Sequence, residues 1–405
     1  MNVRTTLSVI TLILCAVGFE NMLIPSTTDI NEHIRRVEAK LPALNFKGKP
    51  SPVWDETKSS TEWMKIHHVP GVSIAVINDF KIEWAKGYGV LKAGENTPVT
   101  TETIFEIGST TKSLTAAAAL HYVEKNLLTL DNDVNETLVS WKIPENKFSQ
   151  KEKVTLRRLL THTAGINRPQ GGFGFDDGKI PSLREVLNGE LPAENQPARV
   201  ENIPGEGWNY SNFGYIIIQQ LLEDVTGKSY GEIMHEKVFD PLGMKSATFR
   251  QPSPDKPNQN AALPHDPDGV PKEKAISSSA LAHGGLLTTP SDLALFTIEL
   301  MKSYNGQSQK ILSQKMTRMM FTSQVPLDPE KLFGLTGQGL GWFLMNEGKE
   351  LCIMHAGENY PGFICFVIAF PRKGQGAVIM TNGMGGYLIS YQLIFALASE
   401  YSWPF

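Results

Sequence analysis

Ser109 and Lys112 stand three residues apart in Gly108-Ser109-Thr110-Thr111-Lys112, where an extended run gives way to a helical pattern. On a helix that spacing puts hydroxyl and amine on one face, a turn apart. The lysine can take the serine proton, and attack on a carbonyl then leaves negative charge near the positive end of the helix. A second Ser-x-x-Lys, Ser253-Pro254-Asp255-Lys256, lacks this setting. Pro252, Pro254 and Pro257 keep it out of a regular helix, so its side chains would not share a face.

Tyr210-Ser211-Asn212 comes just before another helical period. A tyrosine beside a lysine ammonium is expected to lean toward phenolate, because the cation favours the charged form. It would accept the serine proton or relay it to a leaving group. Asn212 offers a donor and an acceptor to an amide or ester. The plainer alternative is that Ser211 or Asn212 merely caps the helix. A third element, His355-Ala356-Gly357, ends an apolar strand, where glycine lets a substrate backbone approach the edge. Alone, His355 reads more simply as a strand-end histidine with one hydrogen bond. What gives these residues weight is their order: Ser-x-x-Lys, then Tyr-Ser-Asn, then His-x-Gly.

Other candidates fall away. His67-His68 are adjacent and lack a third ligand at metal spacing, so neither metal nor cofactor is expected. Gly227-Lys228-Ser229 imitates a phosphate loop, but Leu222 occupies the place of its first glycine. His283-Gly284-Gly285 has no accompanying G-x-S-x-G elbow, and His162 reads as a loop brace. The net charge of −4 and the lack of a long basic run argue against nucleic acid as a partner.

The elements that must position these groups follow from periodicity. Val72 to Ile77 and Ile82 to Val90 form a hairpin pattern around Asn78-Asp79. Ser109 to about Lys125 is helical, with an alanine-rich middle. Helical periods recur at Thr155 to Leu160, Leu183 to Leu187 and Phe213 to Val225, the last stopped by Gly227. Thr289-Pro290-Ser291-Asp292 starts a further helix with proline in its first turn. Strands return at Gly341 to Met345, Leu351 to Ala356, Phe363 to Phe370 and Ala377 to Thr381, before a final helix at Ile389 to Tyr401. Strands at both ends with a helical middle predict an α+β fold, one antiparallel sheet built from both termini and flanked by helices. The sheet parts fall at about 25–130 and 290–405, and a mainly helical insertion at about 131–289.

Residues 1–24 have the pattern of a signal peptide: Arg4, an apolar stretch from Leu7 to Phe19, and small Ala16 and Gly18. An uncleaved N-terminal anchor is the alternative, and any membrane association would run through this segment. Export, to a periplasm or medium, is the expected localisation. It would permit a bridge between Cys352 and Cys365, facing each other if Gly357 to Gly362 is a hairpin loop; two buried thiols are the other possibility.

With these residues in view, the chain resembles the penicillin-recognising serine hydrolases. It is most similar to the branch holding class C β-lactamases, D-alanyl-D-alanine carboxypeptidases, D-aminopeptidases and related esterases. The resemblance runs from about Val53 to the C-terminus. It includes Leu159-Leu160-Thr161-His162-Thr163-Ala164-Gly165, Asp240-Pro241-Leu242-Gly243-Met244 and Ala282-His283-Gly284-Gly285-Leu286. It implies that Ser109 is the nucleophile, Lys112 its proton acceptor or electrostatic partner, and Tyr210 the general acid/base. Asn212 and His355 would hold substrate, and an oxyanion hole would lie at the backbone amides of Ser109 and of Glu358, just after Gly357.

The resemblance also implies a small-molecule or short-peptide substrate and cleavage through an acyl-enzyme. The alternative is a penicillin-binding sensor that acylates without turnover. One departure stands out. Many β-lactamases carry Lys-Thr-Gly where this chain has His355-Ala356-Gly357. An unperturbed histidine, near pKa 6.5, would hold only part of a positive charge for a substrate carboxylate. Esters or D-residue peptides are therefore expected ahead of β-lactams. If His355 recognises a carboxylate, affinity for anions should weaken as pH rises through its pKa.

Overall fold

The structure, a computed structural model, describes residues 30–45, 51–169, 179–249, 260–272, 278–332, 334–345 and 350–404. The leader expected at 1–24 and the second Ser-x-x-Lys at 253–256 lie outside the described residues.

Two strands near the N-terminus, β1 (Leu41–Asn45) and β2 (Ser51–Lys58), pair as a separate ribbon. A helix, Ser60–Ile66, follows, started by a capping box between Ser59 and Glu62. β3 (Gly71–Asn78) and β4 (Lys81–Gly89) then form the expected hairpin. Asn78 pairs with Lys81 across a turn in which Asp79 and Phe80 both take positive φ, at 51° and 57°. That geometry suits the right-handed twist of the strands. Phe80 is held there by packing, for a Cβ on Gly374 would stand 2.4 Å from its ring.

β5 (Phe105–Glu106) leads into the Ser109 turn and pairs with β6 (Leu287–Thr288), where the chain returns from the helical segments. The remaining strands are β7 (Val325–Pro326), β8 (Gly337–Gln338), β9 (Phe343–Met345), β10 (Cys352–Asn359), β11 (Phe363–Phe370) and β12 (Gln375–Thr381). The main sheet has eight strands in the order β4-β3-β12-β11-β10-β9-β8-β7, with every neighbour antiparallel. Because Gly376 to Thr381 pair with Ile77 to Val72, both ends of the chain share this one sheet. The fold is therefore α+β in the way the periodicity predicted.

Both faces of the sheet are covered, which explains the uninterrupted apolar run of β11. Phe363, Cys365, Val367 and Ala369 face a core shared with the helical segments. Ile364, Phe366, Ile368 and Phe370 face a second core under the C-terminal helix Gly386–Tyr401. The same alternation settles the cysteines. Cys365 lies opposite Gly357 in the helical-side core, whereas Cys352 belongs to the other core, and both are free thiols. The hairpin loop is shorter than expected because β10 continues to Asn359, which pairs with Phe363. β7 and β8 were not foreseen; two-residue strands carry too little alternation to be read.

The helix Thr111–Glu124 is buried on nearly every side, with Ala116, Ala117, Ala118 and Ala119 at 0% exposure. Small side chains let neighbours come close: Gly341, at φ +79°, lies where an added Cβ would stand 2.4 Å from the Ala116 methyl. The end of β10 presses on the turn that starts this helix. A Cβ on Gly357 would stand 1.9 Å from the Ile107 carbonyl oxygen and 2.8 Å from the Thr110 nitrogen. Both obstacles are backbone, so neither can swing aside. Gly357→Ala is therefore expected to cost about 1–3 kcal/mol and to push strand and turn apart. A lowered urea midpoint together with slowed labelling of Ser109 by a small serine-directed probe is the outcome to look for.

Candidate active site

Gly108 begins a single 3-10 turn, Gly108–Thr110, that becomes the Thr111–Glu124 helix. Gly108 sits at φ +50°, and a Cβ on it would lie 2.6–2.7 Å from backbone atoms of Glu358. Glycine is thus required on both sides of the contact between the turn and β10. That contact brings the backbone of Glu358 against the turn that carries Ser109. The Glu358 side chain points to the other face and accepts a hydrogen bond from the Tyr387 hydroxyl at 2.8 Å.

Lys112 Nζ lies 2.9 Å from Ser109 Oγ and donates to the His283 carbonyl at 2.6 Å. The lysine is 0% exposed, and burial holds its pKa well below the usual lysine range. A neutral amine fits these contacts: an N–H points to the carbonyl while the lone pair can face the serine hydroxyl. The His283 contribution is a backbone oxygen, which every residue possesses, so nothing in the sequence marks it. Two hydrogen bonds from Asn359 Nδ2, to Glu106 at 2.8 Å and to the Gly284 carbonyl at 3.2 Å, tie the loop to β5 and β10.

Tyr210 arrives from the helical side. Its hydroxyl is in hydrogen-bonding contact with Ser109, and Lys112 Nζ lies 5.0 Å from its ring centroid. The expected bias toward phenolate is overturned. Burial pushes the Tyr210 pKa up, outweighing both the Ser109 hydrogen bond and the Arg168 charge. The physical reason is burial: a phenolate at this site would lose the water that stabilises its charge.

Ser211 does more than end a helix. Its side chain makes no cap on the helix Asn212–Thr226; instead Ser211 Oγ donates to the Asn167 carbonyl at 2.6 Å. The Ser211 N–H donates to His162 Nδ1 at 3.2 Å. His162 also stacks on Tyr210 with ring centroids 4.2 Å apart, and its carbonyl accepts from Asn209 N–H at 2.8 Å. His162 thus braces the Tyr210 segment on three sides, in keeping with its reading as a loop brace. Asn212 Oδ1 is buried with no hydrogen-bond partner among the described residues. A buried acceptor left unpaired costs about 1–3 kcal/mol.

His355 needs a correction. It is 2% exposed, its Nδ1 bonds the Ala356 carbonyl at 2.9 Å, and its ring centroid lies 5.4 Å from that of Phe343. Burial, with a smaller push from Lys112, lowers its pKa to about 3. The partial positive charge expected near neutral pH is therefore disfavoured, and anion affinity is not expected to follow His355 between pH 5 and 8.

A sequence profile described as Beta-lactamase matches residues 57–390. The chain belongs to the beta-lactamase family. It lies within the superfamily of β-lactamase and penicillin-binding-protein-related serine hydrolases, and that membership supports hydrolase activity in general. Protein flp of Staphylococcus aureus (strain MW2) is 26% identical over 321 residues, covering 78% of this chain and 60% of that protein. Penicillin-binding protein 4 of Amycolatopsis lactamdurans is 27% identical over 325 residues, covering 78% and 82%. Among solved structures, an octameric penicillin-binding protein homologue from Pyrococcus abyssi superposes with a TM-score of 0.69 and 29% identity, covering 84% of this chain and 76% of that one. The chain thus spans about 60% of the staphylococcal relative.

Within this beta-lactamase-family frame the structure brings Ser109, Lys112 and Tyr210 together, with the Glu358 backbone against the Ser109 turn. Asn212 and His355 lie on the elements that carry the site. The sequence reading missed Arg168, whose guanidinium carbon lies 6.0 Å from the Tyr210 ring centroid. It follows an Ile-Asn pair in a loop and belongs to no motif.

The buried histidines make stability depend on pH. His162, His265 and His355 are 4%, 0% and 2% exposed, and burial lowers the pKa of each. Above about pH 6.5 they are neutral in both folded and unfolded chains and contribute no slope. As pH falls below that, the unfolded chain binds protons that the folded chain refuses, down to about 3 for His355. Each is expected to remove up to about 1.4 kcal/mol of stability per pH unit in that window. Urea midpoints at about pH 7, 6 and 5 should fall in that order; a flat series would contradict neutral burial.

Proposed function

We propose that the protein is a serine hydrolase that cleaves small carboxylic esters or amides through an acyl-enzyme on Ser109. The observation that carries this reading is the double contact of Ser109 Oγ, with a buried amine at 2.9 Å and with the Tyr210 hydroxyl. A nucleophile needs a base, and burial lowers the Lys112 pKa, which favours the free amine.

The Lys112 lone pair takes the Ser109 proton as Oγ bonds to the substrate carbonyl carbon. The carbonyl electrons move to oxygen, which receives hydrogen bonds from the backbone N–H groups of Ser109 and Glu358. Tyr210, held protonated, gives its proton to the departing atom and regains one from the Lys112 ammonium. The bond to the leaving group breaks and the acyl-enzyme remains. Water then attacks the acyl carbon, its proton passes to the same Lys112–Tyr210 pair, and the Oγ–carbon bond breaks as Ser109 recovers its proton. Asn212 Oδ1, buried with no hydrogen-bond partner among the described residues, would accept from a substrate N–H. Each backbone donor to the substrate carbonyl oxygen, from Ser109 or Glu358, is worth about 10²–10³ in turnover.

Esters and D-residue peptides suit the site better than β-lactams, because His355 replaces a lysine and Ala356 removes a hydroxyl. The name of the Amycolatopsis relative supports labelled penicillin as an acylating probe all the same. The leader pattern at 1–24 supports export, to a periplasm or to the medium. Among the described residues no helix is long and apolar enough to cross a membrane.

A fluorophosphonate or labelled penicillin is expected to modify Ser109, located by peptide mass, and Ser109→Ala should abolish the adduct. A chromogenic ester should then give steady turnover; a burst of one equivalent followed by silence would mark an acylating sensor instead. Lys112→Arg puts a group that cannot lose its proton in place of the base, so kcat/KM should drop about 10²–10⁴-fold. In the wild type, kcat/KM should fall on the acid side as Lys112 gains its proton, with a midpoint well below the ordinary lysine range. A profile with its acid limb near pH 10 would show that the lysine keeps its ordinary pKa and is not freed by burial.

A further inference from the structure

The loop that presents the His283 carbonyl to Lys112 is held by buried side chains from two helices. Leu281 to Gly285 form a tight turn, in which the N–H groups of Gly284 and Gly285 both donate to the Leu281 carbonyl, at 3.2 and 2.8 Å. Ala282, just before His283, is fixed at both of its backbone groups. Its N–H donates to Gln219 Oε1 at 3.1 Å, and its carbonyl accepts from the Thr115 hydroxyl at 2.8 Å. Gln219 Oε1 also takes the Leu281 N–H at 2.8 Å, and Gln219 Nε2 donates to the Ser279 carbonyl at 2.9 Å.

Gln219 is 2% exposed, and a buried amide must find hydrogen bonds to offset what it loses on leaving water. A fourth bond runs from Nε2 to Glu223 at 3.2 Å, so both lone pairs and both N–H groups are used. An apolar side chain would fill the same space on the helix Asn212–Thr226 without that requirement. What the amide adds is direction, since three of its four bonds go to the loop at 279, 281 and 282. Gln219 also stands two turns beyond Asn212 on one helix face, and the segment entering that helix carries Tyr210. Thr115 stands one turn beyond Lys112 on the helix Thr111–Glu124. The helix that brings in the tyrosine thus also holds the loop against which the lysine rests.

We infer that Gln219 is a positioning residue for the reaction. By fixing the turn Leu281–Gly285 it keeps the His283 carbonyl where it takes one N–H of Lys112, which leaves the amine lone pair aimed at Ser109. The inference rests on the serine hydrolase reading, in which Lys112 is the base. Lys112 Nζ lies 2.6 Å from that carbonyl and 2.9 Å from Ser109 Oγ, so moving the first contact turns the amine away from the second. A misplacement of about 1 Å at a reacting group can cost roughly 10²-fold in rate.

The test compares the full-length wild type with three variants, using a chromogenic ester and a neutral fluorophosphonate. Gln219→Met keeps the length of the side chain but gives the loop neither its acceptor nor its donor. It should lower both kcat and the labelling rate of Ser109 about 10- to 100-fold, with KM little changed. The acid limb of kcat/KM should also move to lower pH, because a carbonyl acceptor favours the ammonium and its displacement disfavours it. Thr115→Val releases Ala282 from the other side and should give the same changes; it decides the question if Gln219→Met does not fold. Gln220→Met is the control. Gln220 is 6% exposed and its amide bonds Asp224 on the same helix, so its loss should lower the urea midpoint and leave kcat and the acid limb in place. Wild-type kcat and acid limb in a folded Gln219→Met protein overturn the inference, as does an equal kinetic loss in Gln220→Met. An acid limb that rises to the ordinary lysine range overturns it too, since Gln219 would then be a seal against water. Wild-type protein that labels at Ser109 while the Gln219 and Thr115 variants match it defeats only the role of Gln219. Wild-type protein that does not label defeats the hydrolase reading and this inference with it.

Discussion

A lysine amine removed from water, with the Ser109 hydroxyl and the His283 carbonyl as its partners, is the constraint on which the site depends. Charging that amine in place would mean keeping an ion in a low-dielectric pocket, at an effective cost of several kcal/mol. Burial therefore favours the neutral form, and a neutral lysine is a base. The same burial keeps Tyr210 protonated and therefore able to donate. One physical cause thus assigns opposite proton states to two neighbouring groups, the separation that acid–base chemistry requires. In place of a lysine ammonium beside a phenolate, burial disfavours the charged form of both groups.

Close backbone contact makes this arrangement rigid. Gly357 and Gly108 let β10 lie directly on the Ser109 turn, and Gly341 lets another segment lie against the alanine face of the following helix. Two small residues facing each other cannot be compressed further, so the positions of Ser109 and of the Glu358 backbone are fixed by contact rather than by side-chain choice. Asn359 adds two hydrogen bonds that join the end of β10 to β5 and to the loop presenting His283. Three distant parts of the chain, at 106–112, 283–284 and 357–359, therefore act as one frame.

Tyr210 comes from outside that frame and needs its own support. His162 supplies it by accepting from Ser211 N–H and stacking on the tyrosine ring. It adopts a positive φ of 60°, unusual for a residue other than glycine, which places its ring beneath Tyr210. A histidine serves here because the neutral ring combines a flat stacking face with an acceptor nitrogen. It is a positioning residue for the tyrosine, and Ser211 with Asn167 completes the brace.

The sequence by itself determined the order of elements and singled out the polar groups that the fold brings together. Alternation in β3 and β4, the apolar run of β11, the proline at the start of Pro290–Tyr304 and the glycine after Asn212–Thr226 are local signals, and local rules read them. Ser109, Lys112 and Tyr210 were legible because their spacing and setting are chemical. Proton states were not, because they depend on how much protein surrounds each group: burial reversed the expectation for Tyr210 and removed the charge expected of His355. Tertiary structure alone decided that Cys352 and Cys365 face different cores, that the His283 carbonyl holds the lysine, and that Arg168 lies beside Tyr210. Each of these depends on which distant segments share a space, and a one-dimensional pattern carries no measure of that.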